Sequence, residues 1–257
     1  MKNPVRWDNL TSPEIRRLAE QDAIVLIPVG SIEQHGPHLP VGTDSLMATW
    51  MAEQVAAELC KRGCPCVAAP TITVANSRHH MNFAGSMSLS VETYMHVLAD
   101  YCRCVAAHGF RKILVLNGHG GNNAPTQAAL VGINEELGFP VYFAHYTNGD
   151  LNVQGEVLES QKKMVHACES ETSLLMALDE SLIDPIYKET KGNIDYVLEA
   201  ENKGVLSTFH KMEQHTANGV KGNSYLATPE KGKKMVERFV QGMADTLSNP
   251  EVWKQTV

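Results

Sequence analysis

Apolar positions in this chain fall into short blocks separated by longer stretches of mixed character. Ala23 to Val29 is a near-continuous apolar run, the pattern of a strand covered on both faces. Residues 66–74, 112–116 and 140–145 form three more short apolar segments and predict further strands. Residues 45–62 repeat apolar positions at helical spacing, with Leu46, Trp50, Val55 and Leu59 three to five residues apart. Residues 90–108 predict a second helix, ended by Gly109. Residues 123–137 predict a third, closed by Gly138 as a left-handed residue with Pro140 two positions on. Thr11-Ser12-Pro13-Glu14 reads as a helix start, with a cap, a proline in the first turn and an acid near the positive helix end. Residues 169–179 predict another helix, and Thr228-Pro229-Glu230 opens a last one to about Leu247.

Strands alternating with helices imply a mainly parallel sheet in a layered α/β/α domain. A chain of 257 residues fits one large domain or two small ones, and its even organisation is read as a single domain over 1–257. The stretch 186–223 breaks the pattern: it is polar, contains Gly192, Gly204, Gly219 and Gly222, and lacks periodicity. Loops of that length serve as lids or oligomer contacts in some proteins and as plain surface in others.

Charge and composition then narrow the partners. A net charge of −7 without a basic run argues against nucleic acid. No apolar stretch is long enough to span a bilayer, and the first seven residues lack the apolar core of a signal peptide, so a cytoplasmic location is expected. The six cysteines form no C-x-x-C pair, which excludes the usual structural zinc spacing, and most are expected to be buried free thiols.

The candidate chemistry lies in three segments. Residues 30–44 follow the first apolar run and place Glu33, His35, His38 and Asp44 in one short segment, with Asp44 returning after a loop punctuated by Gly and Pro. Alternation along an extended chain would point Glu33 and His35 the same way. Carboxylate and imidazole together suit zinc or manganese. Asn117-Gly118-His119-Gly120-Gly121-Asn122 follows another predicted strand, and open α/β sheets bind ligands beyond the carboxyl ends of their strands. His166-Ala167-Cys168-Glu169-Ser170-Glu171 precedes a helix and adds one imidazole and two carboxylates. His166 titrates near neutrality and is the candidate acid/base. Cys168 reads as a small residue beside the site.

Together these segments resemble the creatininase (creatinine amidohydrolase) family: E-x-H-G-x-H-L-P-x-x-x-D at 33–44, N-G-H-G-G-N at 117–122 and H-A-x-E-x-E-T-S at 166–173. Weaker agreement runs from Trp7 to the segment 227–232. The resemblance implies two divalent ions, zinc or manganese, bridged by Asp44. Glu33 and His119 would complete one ion's ligands and His35 would serve the other. The family's founding enzyme takes a further carboxylate from the position that is Gly121 here, and Glu169 is the expected replacement. Glu171 would orient His166 or a neighbour. The run 76–88 also looks family-like, making His80 and Ser86 candidate substrate contacts together with His38 and Gly120.

The implied reaction is hydrolysis of a C–N amide bond in a small cyclic or formamide-type molecule. Hydrolytic C–C opening of a cyclic ketone derived from a sugar or inositol is the alternative, and a non-catalytic metal- or ligand-binding protein is a third reading. The founding enzyme closes over creatinine with two tryptophans. The matching positions, near Thr147 and Lys162, carry no aromatic ring, and Lys162 and Lys163 suit a more polar or anionic ligand. The resemblance also implies a homo-oligomer such as a hexamer.

Overall fold

The computed structural model describes residues 3–192 and 208–254. Four parallel strands, β1 (Ile24–Val29), β2 (Cys66–Ala68), β3 (Lys112–Asn117) and β4 (Val141–His145), lie in the order β2-β1-β3-β4. Every β1 residue is buried because both faces are covered. On one face Ile24, Leu26, Leu114 and Leu116 pack under α2 (Thr43–Lys61), α6 (Glu169–Asp179) and α7 (Pro229–Leu247). On the other, Val25, Ile27, Ile113 and Val115 pack against α3 (Val91–Ala107) and α4 (Asn123–Leu137), with α1 (Ser12–Glu20) at its margin. The expected layered α/β/α architecture is the one observed.

The local chemistry sets the element ends. Glu14 accepts the Thr11 N–H at 2.7 Å and starts α1. Ser90 accepts from the Thr93 N–H, and Thr228 from the Lys231 N–H, at the starts of α3 and α7. Gly138, at φ 72°, ends α4 in the left-handed region that only glycine enters freely. A short helix, α5 (Val153–Val157), was not expected.

Three expectations are corrected. The strand expected over 66–74 stops at Ala68, because Pro70 has no N–H to donate to the ladder; Ile72 rejoins it singly by donating to Pro28 O. Helix α2 starts at Thr43, ahead of the expected start at Ser45, so Asp44 sits in its first turn. Its buried stripe is Met47, Met51, Val55 and Leu59, whereas Leu46 is exposed and Trp50 only half-buried.

The lid or oligomer contact considered for 186–223 falls partly on 193–207, outside the described residues. After it Val220 is fully buried, and Gly192 before it donates to Gly222 O at 2.7 Å. Among the described residues no helix is long and apolar enough to cross a membrane.

Candidate metal centre

The strand order reverses between β1 and β3, so a crevice opens beyond their carboxyl ends. The chain leaving β1 passes through Gly30, where a Cβ would lie 2.4 Å from Ser45 Cα, so only glycine lets α2 approach this closely. That approach brings Asp44 over the strand ends. The chain leaving β3 delivers His119 to the same place, and the chain entering α6 delivers His166 and Glu171. A cavity of about 480 Å³ opens here, lined by Glu33, Asp44, His80, His119, His166 and Glu171 among others.

Asp44 occupies the centre. One of its oxygens lies 3.2 Å from His35 Nε2 and the other 3.0 Å from His119 Nδ1. Glu33 stands on the His119 side at 3.2 Å, and Glu171 on the His35 side at 3.9 Å. Glu33 also faces His80 Nε2 at 3.3 Å and His166 Nδ1 at 3.5 Å. These groups are close but poorly aligned. Glu33 Oε1, His35 Nε2, Asp44 Oδ2 and His80 Nε2 are all buried without a hydrogen-bond partner. Buried polar atoms are normally satisfied, so a convergent set of orphans marks a missing partner. Four overlapping triads within it bring their ligand atoms within 4.8 Å of one another: Glu33–His35–Asp44, Glu33–His79–His119, Glu33–His80–His166 and His35–His166–Glu171. Imidazole and carboxylate donors at this density fit first-row divalent cations.

Electrostatics agree with that fit. Burial drives Glu33 up to about 7, aided by the Asp44 charge and opposed by His119 and His35. Burial likewise lifts Glu171 to about 7 against the pull of His35. Burial alone would depress His35 and His119, yet Asp44 with Glu171 and Glu33 raises His35 to about 10, and Glu33 with Asp44 raises His119 to about 9. Burial pushes Asp44 up, but the two imidazoles outweigh it and hold its carboxyl far below the usual range. Burial and neighbouring imidazoles press His80 down to about 2 and His166 well below its ordinary value, so both rings are neutral.

The structure therefore brings together Glu33, His35, Asp44, His119, His166 and Glu171, with His80 and Gly120 lining the cavity. It does not bring Glu169 there. The Glu169 carboxylate accepts the N–H groups of Glu159 and Ser160 and sits 2.6 Å from Lys231 Nζ. Glu171 is the α6 acid that faces the cluster. A Cβ on Gly121 would meet His119 Nε2 at 2.4 Å and His79 Cε1 at 2.8 Å, so the space for a side chain at that position is filled by imidazoles. His38 is turned away: its Nε2 pairs with the Thr172 hydroxyl at 3.0 Å. Ser86 accepts the Gln34 N–H at 3.1 Å and does not line the cavity. Cys168 is buried, with its thiol pushed up to about 12 by burial, as befits a packing residue.

His145 was not singled out from sequence, and His79 was given little weight as a substrate contact. His79 stacks on His119 with ring centroids 5.5 Å apart, and His145 lines the cavity from the end of β4. The position of His145 at the carboxyl end of the strand beside β3 was the available signal. Ala167 is held at φ 51°, an uncommon left-handed conformation for a residue with a Cβ; there its N–H donates to Glu171.

Comparison with known proteins gives the family and the fold. The family model described as "Creatininase: Creatinine amidohydrolase" matches residues 8–247. A "Mycofactocin precursor peptide peptidase" of Mycolicibacterium smegmatis is 28% identical over 239 residues, covering 90% of this chain and 87% of that protein. A "3-dehydro-scyllo-inosose hydrolase" of Thermotoga maritima is 38% identical over 116 residues, covering 45% of this chain and 36% of that one. A solved structure described as "Creatininase Mn" superposes with a TM-score of 0.83 at 25% identity, covering 98% of this chain and 99% of that chain. With the family pattern spanning nearly the whole chain on a shared fold, this protein belongs to the creatininase family of hydrolases.

Proposed function

We propose that the protein is a dinuclear divalent-metal hydrolase that cleaves a C–N amide bond in a small polar molecule. The observation that carries this reading is the placement of Asp44, whose two oxygens face His35 and His119 on opposite sides. Glu33 and His119 would hold one ion, His35 and Glu171 the other, and Asp44 both. Bound divalent ions supply Lewis acidity and bring the ionisation of water to near neutral pH.

The chain's own residues do the rest. His166 is neutral, and its Nδ1 faces the cluster across 3.5 Å from Glu33 Oε1. It can accept the proton of the attacking water there. The imidazolium so formed would be balanced by Glu33 beside it and could deliver that proton to the departing nitrogen. Glu171 anchors the turn that carries His166, because its other oxygen accepts the Ala167 N–H. Leu151, Met164, Val165 and Met212 form the apolar part of the wall.

Similarity to a peptidase and to a family described as creatinine amidohydrolase supports a C–N bond. The match to the inosose hydrolase favours a second reading, hydrolytic opening of a cyclic keto-inositol or keto-sugar. A panel of creatinine, small formamides, short peptides and keto-inositols, assayed with added zinc or manganese, tests both. Amide turnover that vanishes with chelator is the expected result. Turnover of keto-inositols alone would replace the first reading with the second, and no metal-dependent turnover of any class would reject both.

A further inference from the structure

Gln34, between the proposed ligands Glu33 and His35, is buried and touches both imidazoles that face Glu33 Oε1. Its hydrogen bonds can be assigned completely from the donors and acceptors present. The side-chain oxygen accepts the Gly36 N–H at 2.9 Å, which fixes the orientation of the amide. The amide nitrogen therefore faces three neighbours: Gly219 O at 3.1 Å, His80 Nδ1 at 2.9 Å and His166 Nε2 at 3.0 Å. It has two hydrogens. Gly219 O can only accept, so it takes one. His166 Nε2 has another partner, the Gln34 main-chain carbonyl at 2.8 Å, to which it can only donate. The second amide hydrogen therefore goes to His80 Nδ1.

We infer that Gln34 is a positioning residue that makes both rings Nε2–H tautomers while presenting opposite ends of them to the site. His166 gives its Nε2–H to the Gln34 carbonyl and turns the bare Nδ1 lone pair toward Glu33. His80 receives the amide at Nδ1 and turns its Nε2–H toward Glu33. One ring thereby presents an acceptor and the other a donor, and both face the same carboxylate oxygen. A segment distant in sequence holds the arrangement in place. A Cβ on Gly219 would lie 1.8 Å from Gln34 Oε1, so only glycine, here at φ 81°, lets its carbonyl come this close. The inference rests on the proposed function only for the use made of the His166 lone pair; the tautomers themselves do not depend on it.

Long-range 1H–15N correlation of histidine-labelled, metal-free protein tests it, with His80 and His166 assigned through H80Q and H166Q. Both rings should show the Nε2–H pattern. In Gln34→Glu an oxygen replaces the amide donor, so His80 should switch to Nδ1–H while His166, held by the main-chain carbonyl, stays Nε2–H. An Nδ1–H pattern at His166 or His80 in the unaltered protein would overturn the inference, as would an unchanged His80 in folded Gln34→Glu. If that variant fails to fold, the unaltered protein's spectrum decides alone. A separate kinetic readout distinguishes the two proposals. Correct tautomers with full turnover in His166→Ala would leave the Gln34 assignment standing and remove His166 from the reaction.

Discussion

Two buried acids in the first turn of α6 lie two residues apart and differ in every respect that decides their use. Glu169 takes two backbone N–H groups, the Ser160 hydroxyl and the Lys231 ammonium, which also reaches Glu159 and Leu226 O. Its charge is matched and its oxygens are occupied. Glu171 gives one oxygen to the Ala167 N–H and aims the other at His35 across 3.9 Å. Around it Glu33, Asp44, His35 and His80 each leave a buried atom unpaired. A charge cluster whose atoms are all paired holds chain segments together; a crowded one whose buried atoms lack partners and converge on common points suits a divalent cation.

The largest effect should come from the group shared by both halves of the open cluster. Asp44→Asn should lose both ions, and with them nearly all turnover, measured by elemental analysis and assay. His166→Ala should keep the ions while turnover falls by roughly 10²–10⁴-fold, the usual worth of a positioned acid/base group. Loss of metal in that variant would make His166 a ligand instead. The closed cluster should respond in stability. Lys231→Met leaves Glu169 buried without its cation and should cost about 3–5 kcal/mol in denaturant unfolding, with metal content unchanged. A fall in metal content there would blur the distinction between the two clusters.

A subtler effect concerns protons. In the metal-free protein His35 and His119 are raised to about 10 and about 9, so both carry a proton at neutral pH. Ligation needs the bare nitrogens, so metal binding must expel those protons. Zinc added to metal-free protein in weak buffer at pH 7 should acidify the solution, and apparent affinity should fall as pH is lowered. Binding without proton release would contradict this account of the two rings.

Much of the fold was legible because its strands are short apolar runs bounded by glycine and its helices carry ordinary caps. The segments at 33–44 and 117–122 were legible for the same reason, since each follows a strand whose end is fixed by the sheet. The acids of α6 were not. Two residues on a helix are about 200° apart, so Glu169 and Glu171 point in nearly opposite directions. Which one enters the site depends on how α6 is rotated. Burial of Leu174 and Leu175, the left-handed Ala167 and the position of Lys231, 62 residues away, set that rotation. None of these is local in sequence. The partner of His38 was equally hidden: only the packing of α6 supplies Thr172.

The most direct test is metal content per chain in Glu171→Gln and Glu169→Gln, purified identically without chelator beside the unaltered protein. The unaltered protein should hold two equivalents. Glu171→Gln should lose one of them or bind it at least roughly tenfold more weakly, the lower end of what even supporting groups contribute to a metal site. Glu169→Gln should keep both. Full occupancy in Glu171→Gln with loss in Glu169→Gln would contradict the account.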